Sequence, residues 1–319
     1  EPVAAEPRLK EIAVHVTCAL IASHGLVPEL AWAVDIVPDG RTATSVSPLG
    51  TNAADVRNTD RLLGNGNAVN SFSRFNVGSG ETANLHLPDG AAALINLVRD
   101  QKTTIDGMLN AIKEGRIGGK VYFANPHGVV VGPSGKVNVG SLHVSTPSQR
   151  FVDDFFDAPG GAEASAAALV EGRAPRNTAA EIRIDGEVNA TEQVSLSAGS
   201  ITVGGKVLSG AKFAGGAPDF SDVVNVHGLA TGGAVVENQG RIEIVGDSGI
   251  ELTGTVSSRR VNVGDDASLR SGVSIAASGD IALRAPTIRI GSGGKLLAAG
   301  SDTHAGGDVT LQAQAVGGT

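Results

Sequence analysis

Val194-Ser-Leu-Ser-Ala-Gly-Ser-Ile-Thr-Val-Gly204 aligns without a gap on Ile281-Ala-Leu-Arg-Ala-Pro-Thr-Ile-Arg-Ile-Gly291. A third copy opens at Val309-Thr-Leu-Gln-Ala-Gln-Ala-Val316, and a looser one runs from Ile250-Glu-Leu-Thr-Gly254 to Val261-Asn-Val-Gly264. Apolar residues fall at alternate positions, the period of a strand with one buried face. After Ala198 and Ala285 the alternation slips by one residue, as a bend between two short strands requires. Short strands broken by Gly or small polar corners, recurring about every 20 to 30 residues, describe the coils of a solenoid. One coil cannot bury its own inner face; stacking on the next, ~4.8 Å away, does so. The expected fold is therefore all-β, a right-handed parallel β-helix, with an N-terminal cap formed by residues between about 34 and 75.

A β-sandwich would need antiparallel hairpins with tight Asx-Gly turns. Asp39-Gly40, Asp89-Gly90, Asp106-Gly107 and Asp185-Gly186 do not sit between paired alternating runs of equal length. Composition agrees with stacked coils. Aromatics are 3% of the chain against 44 Gly and 13 Pro, and Val, Ile, Leu and Ala carry the apolar content. A compact enzyme core of this length normally fills volume with Phe, Tyr and Trp; aliphatic layers do not need them.

The net charge of −8 is spread thinly, so no clustered cationic face exists for nucleic acid. The seven histidines show no metal spacing, no glycine-rich phosphate loop precedes a helix, and no cofactor is expected. A β-helical polysaccharide-active enzyme would need paired carboxylates or basic residues beside calcium-binding Asp on adjacent coils. Asp265-Asp266 is the best adjacent pair after residue 180, and it reads as a solvated Gly-Asp-Asp-Ala corner. The chain is expected not to be an enzyme.

Residues 1–33 differ from the rest. Arg8 and Lys10 precede an almost uncharged stretch from Ile12 to Leu30, and Ala31-Trp32-Ala33 has the small-x-small form of a signal-peptidase site. The expectation is an export signal, with the β-helix domain spanning 34–319. The single cysteine, Cys18, lies inside that signal. A mature chain without cysteine suits threading unfolded across a second membrane, where disulfides formed beforehand would obstruct.

Two segments break the strand pattern. Between Asp100 and Gly115, Ile105, Met108, Leu109 and Ile112 recur at helical spacing, which predicts a short helix ended by Gly115. Pro147 to Thr178 is rich in Ala, Pro and acidic residues with Phe151, Phe155 and Phe156 close together. It reads as an excursion whose aromatics pack as a small helix against the solenoid. Asp153, Asp154 and Asp157 there read as a solvated face, since their spacing is not that of a calcium loop.

Between Asn70 and Thr146 the sequence becomes specific. Ser71-Phe-Ser-Arg-Phe-Asn-Val-Gly-Ser-Gly80 resembles the opening of the secretion domain of two-partner-secretion exoproteins, the family of filamentous haemagglutinins and high-molecular-weight adhesins. So do Gly119-Lys-Val-Tyr-Phe-Ala-Asn-Pro-His-Gly-Val-Val-Val-Gly132 and Gly135-Lys-Val-Asn-Val-Gly-Ser-Leu-His-Val-Ser-Thr146. The family's Asn-Pro-Asn-Gly-Ile is here Asn125-Pro126-His127-Gly128-Val129. Its Asn-Pro-Asn-Leu, present in some branches, is replaced by a region reading Asn84-Leu85-His-Leu-Pro-Asp-Gly90.

The resemblance implies secretion motifs at Asn125, Pro126, His127 and Gly128 and at Asn84 and Leu85, recognised by an outer-membrane barrel transporter through its periplasmic POTRA domains. It further implies a chain secreted through the periplasm to the surface of a Gram-negative bacterium, nucleating folding for downstream repeats of the same exoprotein. No host or matrix receptor is named by the sequence, and a self-standing adhesin that uses the 147–178 excursion is the competing function. Physically, Pro126 fixes its own φ and extends Asn125, Asn125 can close an Asx turn, and Gly128 permits a positive φ. Asn125 to Gly128 therefore reads equally as a structural corner or as a recognition element.

Overall fold

The computed structural model describes residues 34–209, 241–258, 279–298 and 306–313. The expected export signal with Cys18, the Val261 repeat segment and Asp265-Asp266 lie outside the described residues.

Short parallel strands wind through successive coils with three faces. Face one stacks Asn67–Phe72, Ala93–Val98, Lys120–Ala124, Ser141–Ser145 and the first halves of Gln193–Val203 and Arg241–Leu252, then Ile281–Ala285 and Val309–Ala313. Face two stacks Asn76–Val77, Thr103–Ile105, Val129–Val131, Glu181–Ile184, the second halves of the same two long strands, and Ile288–Ile290. Face three stacks Ala53–Asn58, Thr82–His86, Met108–Lys113, Lys136–Val139, Glu187–Ala190, Lys206–Leu208, Thr255–Ser257 and Lys295–Leu297. The architecture is all-β, mostly parallel and β-helix-like.

The Val194, Ile281 and Val309 repeats behave as their alternation predicts, but the looser copy opens at Ile242: Ile250 pairs with Ile201 and Ile288 in the second half of the unit. Val194 pairs with Ile242, Ile242 with Ile281, and Ile281 with Val309, all in parallel. The slip after Ala198 is an irregularity between Ala198 and Ser200, where the strand turns from face one to face two. Gly199 sits at that bend, and a Cβ there would come within 2.0 Å of the Thr178 carbonyl oxygen.

One aliphatic core runs through the coils, from Val56, Leu85 and Leu94 to Leu196, Ile244 and Leu283. Its aromatic content is concentrated near the start, where Phe72, Phe75 and Phe123 meet edge to face with 5.2 Å between successive ring centres. The end of the stack before them is closed by antiparallel pairing. Asp35–Pro38 runs against Phe72–Asn76, and Thr44–Pro48 forms a hairpin with Ala54–Asn58. This is the cap.

The helix expected between Asp100 and Gly115 is absent. Thr103–Ile105 and Met108–Lys113 are strands on different faces, joined by Asp106-Gly107. A corner between two short strands shifts the alternation by one, so Ile105 and Leu109 fall at helical spacing although each faces the core from its own strand; Ile112, three residues on in the same strand as Leu109, faces the other way. Nor does Gly115 end a helix. Glu114 and Gly115 both take positive φ, 52° and 73°, and turn Met108–Lys113 back onto the antiparallel strand Arg116–Ile117.

The 147–178 segment is helical and lies on the outside of face one. Helix α1 spans Gln149–Asp153 and helix α2 spans Gly161–Val170. The Ser148 hydroxyl caps α1 by accepting from the Phe151 N–H at 3.3 Å. Phe155 is fully buried and, with Val152, Ala166 and Leu169, covers Val69, Ile95, Leu97, Tyr122 and Ala124. An aliphatic outer face would otherwise meet water, so the excursion completes a second, smaller core.

Candidate functional site

Asn125 to Gly128 forms the corner between face one and face two. The Gly128 N–H donates to the Asn125 carbonyl at 3.2 Å, closing a four-residue turn with Pro126 in its second position. The Asn125 Oδ1 accepts from the His127 N–H at 2.8 Å, the Asx turn expected from the sequence. Gly128 has φ 97°, and a Cβ there would lie 2.4 Å from the Glu181 carbonyl oxygen.

The corner is also bonded to the coils on both sides. The Asn125 side chain is wholly buried and donates to the Gln101 carbonyl at 2.8 Å and to Thr103 Oγ1 at 3.0 Å. On the far side, Asn177 Nδ2 donates to the Pro126 carbonyl at 2.8 Å. His127 alone of the four is exposed, and its Nε2 donates to the Arg99 carbonyl at 2.9 Å.

Arg99 gathers the surroundings. Its carbonyl also accepts from Gln149 Nε2 of α1 at 3.2 Å. Its guanidinium pairs with Asp153 at 2.9 Å and with Asp39 of the cap at 3.5 Å. The hydrogen bond from Arg99 holds the Asp153 carboxyl below the ordinary carboxylate range, against a smaller opposing effect of burial. Cap, corner and excursion thus meet at one residue, the cap and excursion on its guanidinium and the corner on its carbonyl. Sequence reasoning passed over Arg99, and nothing in its neighbourhood of strand residues marks it.

Asn84 and Leu85 lie elsewhere, on face three, and do not join the corner. Leu85 is fully buried in the core. Asn84 belongs to a ladder of buried amides in register on successive coils. Asn189 Nδ2 donates to Asn138 Oδ1 at 3.1 Å, Asn138 to Asn110 at 2.9 Å, and Asn110 to Asn84 at 3.0 Å. Asn84 in turn donates to Asp55 Oδ1 at 3.1 Å. Burial alone would raise the Asp55 carboxyl; hydrogen bonds from His86 and Asn84 outweigh it and hold it below its ordinary value. A second ladder joins Asn58, Asn70 and Asn96 on the first coils.

The signal for the face-three ladder was present. Ala83-Asn-Leu85, Leu109-Asn-Ala111, Val137-Asn-Val139 and Val188-Asn-Ala190 each place an amide between two aliphatic residues at the same step of a coil.

Among the described residues no three His, Cys, Asp or Glu side chains cluster as a metal site, and no helix is long and apolar enough to cross a membrane. Asp153, Asp154 and Asp157 do not converge: Asp153 binds Arg99, and Asp154 pairs with Arg150.

The crystal structure of the filamentous hemagglutinin secretion domain is similar to this chain, with 19% sequence identity and a TM-score of 0.38 over 86% of this chain and 99% of that one. No curated protein matches. The family model of the TPS secretion domain matches residues 34–298. That span is most of the chain, which belongs to the TPS secretion domain family: it is the secretion domain of an exoprotein that passes through the periplasm to a partner transporter.

Proposed function

We propose that this domain addresses a larger adhesin-type exoprotein to a partner outer-membrane barrel through the barrel's periplasmic POTRA domains, and nucleates β-helix folding at the surface of a Gram-negative cell. It performs no catalysis in this reading. The observation that carries it is the asymmetry of the stack. One end is closed by antiparallel strands, and from there the described coils pair in parallel, each on the one before. A capped start suits growth in one direction, with each new coil adding as a parallel strand. The coils are taken as right-handed, the hand that parallel crossovers adopt almost without exception.

Asn125, Pro126, His127 and Gly128 act as the transporter-recognition segment, with Asn84 and Leu85 as a second element. In the folded domain Asn125, Asn84 and Leu85 are buried. A transporter that reads them must do so before the coils close, which is the order that export in an unfolded state imposes. Residues 1–33 act as a cleaved signal, in support of which the family match opens at Val34.

The test is Asn125→Ala co-expressed with the partner barrel, comparing culture supernatant with periplasm. The substitution removes three side-chain hydrogen bonds, costing roughly 1–3 kcal/mol. A domain with this core withstands that loss, so folded protein remains recoverable while secretion drops several-fold. Secretion at the wild-type level, with only the stability loss, would reduce the segment to a corner. Intact mass of the secreted chain provides a separate check: it starts at Val34, and a mature chain still carrying Cys18 overturns the signal assignment.

A further inference from the structure

The outer surface of face one holds a side-chain column that secretion leaves unexplained. Val69, Ile95, Tyr122, His143 and Ser195 stand over one another on successive coils. Tyr122 and His143 are stacked rings, with centres 4.2 Å apart and planes within 8°. The next position is Ser195, which carries no ring, so the stack stops and one face of the imidazole looks into a gap one coil deep. Strand spacing in a sheet is about 4.8 Å, close to a ring-stacking distance, so a flat ring lying over Ser195 continues the column.

The gap is a walled pocket. Leu169 and the exposed Val170 at the end of α2 form one side. Ser145, Ser195 and Ser197 supply hydroxyls along the floor. Arg176 closes the rim, donating to Ser197 Oγ at 3.3 Å, but its guanidinium is held bidentate by Asp247. An anion finds no free cation there. The imidazole does not supply one either, because burial, assisted by Lys120, lowers its pKa to about 4.

We propose that this pocket is a subsite for a neutral pyranose ring, which stacks an apolar face on His143 and turns its hydroxyl edge to Ser145, Ser195, Ser197 and the Arg176–Asp247 pair. A flat apolar face joined to a hydroxylated rim is the surface of a sugar. An aromatic side chain would satisfy the stack but bring no hydroxyls to the serine rim. The site is independent of the secretion role, since it exists only in the folded domain and shares no residue with the Asn125 corner.

The test uses the folded, secreted domain and a panel of neutral methyl hexopyranosides, followed by NMR of the His143 and Tyr122 ring protons. At least one sugar is expected to shift both rings saturably, with a dissociation constant on the order of 1 mM for so small a ligand. Ser195→Trp fills the gap with the protein's own ring and is expected to weaken binding at least tenfold while the remaining amide spectrum stays folded. His143→Leu, which keeps bulk and removes the π face, is expected to weaken it several-fold. Three results overturn the proposal: no saturable shift with any hexopyranoside, equal binding by Ser195→Trp, or tighter binding of N-acetyl-tyrosinamide or a methyl glucuronide than of every neutral sugar.

Discussion

The coils before Asn189 and those after it have the same three faces but bury different polar residues. The earlier coils bury Asn70, Asn84, Asn96, Asn110, Asn125, Asn138 and Asn189 alongside Phe72, Phe75 and Phe123. In the described later coils the interior is aliphatic, and the buried polar residues are Ser209, Ser257 and Ser258. An aliphatic stack accepts a neighbour in any register that keeps the alternation. A buried amide accepts only the register that gives it a partner, because each unmet donor or acceptor costs about 1–3 kcal/mol. The first coils are therefore locked against slippage, and the later ones are a generic surface that further coils can copy. Under the proposed function, a domain that starts a solenoid needs the first property at its beginning and the second where further coils add.

The largest expected effect falls on the ladder. Asn110→Ala strands the Asn84 Oδ1 and the Asn138 Nδ2 in a buried setting. It should destabilise the domain by roughly 2–4 kcal/mol, read from the denaturant midpoint at unchanged slope. Ile244→Val, in the aliphatic stack, should cost about 1 kcal/mol. If the two cost the same, the contrast between the regions is not energetic.

The second test uses pH. The unfolded imidazole of His143 takes a proton near pH 6.5 and the folded one near pH 4. Between these values the unfolded state holds more protons, so stability falls as pH drops from 6.5 to 4 and this contribution levels off below. The loss is no more than about 3 kcal/mol, and smaller to the extent that water reaches the ring. Asp55 and Asp153, held below the ordinary carboxylate range, lose their contributions lower still. His143→Gln should therefore flatten the profile between pH 6.5 and 4 and leave the steeper acid limb intact. An unchanged slope in that window would show that His143 is not shielded by the excursion.

The sequence disclosed the two regions by different means. After Glu181, like residues stack on like, so Val194, Ile281 and Val309 align by eye. Before Thr146 the coils share few residues, and only family motifs were legible. The Phe151, Phe155 and Phe156 cluster revealed the excursion, because aromatics are scarce elsewhere. The ladders stayed hidden because a hydropathy pattern sends asparagine to the surface, and only register shows that Asn84, Asn110 and Asn138 meet. The two strands around Asp106-Gly107 imitated a helix because a corner changes the phase of the alternation, which the residues alone do not reveal.

The smallest expected effect lies at the boundary itself. Asn189 ends its ladder against Leu208, and its Oδ1 is buried without a partner. Leu208→Asn places an amide in register above it. Two effects then oppose: the new Nδ2 satisfies Asn189, while a buried leucine side chain is lost and a fresh Oδ1 faces Ser257 across the next pairing. These terms are each of the order of 1–3 kcal/mol, so the net change should be small and its sign uninformative. The informative quantity is the coupling. Leu208→Asn should be less damaging in the presence of Asn189 than in an Asn189→Ala background, by about 1 kcal/mol in a double-mutant cycle. No coupling would mean that the orphaned oxygen is already met by water, and that the break between the locked and the copyable coils lies in side-chain shape and not in hydrogen bonding.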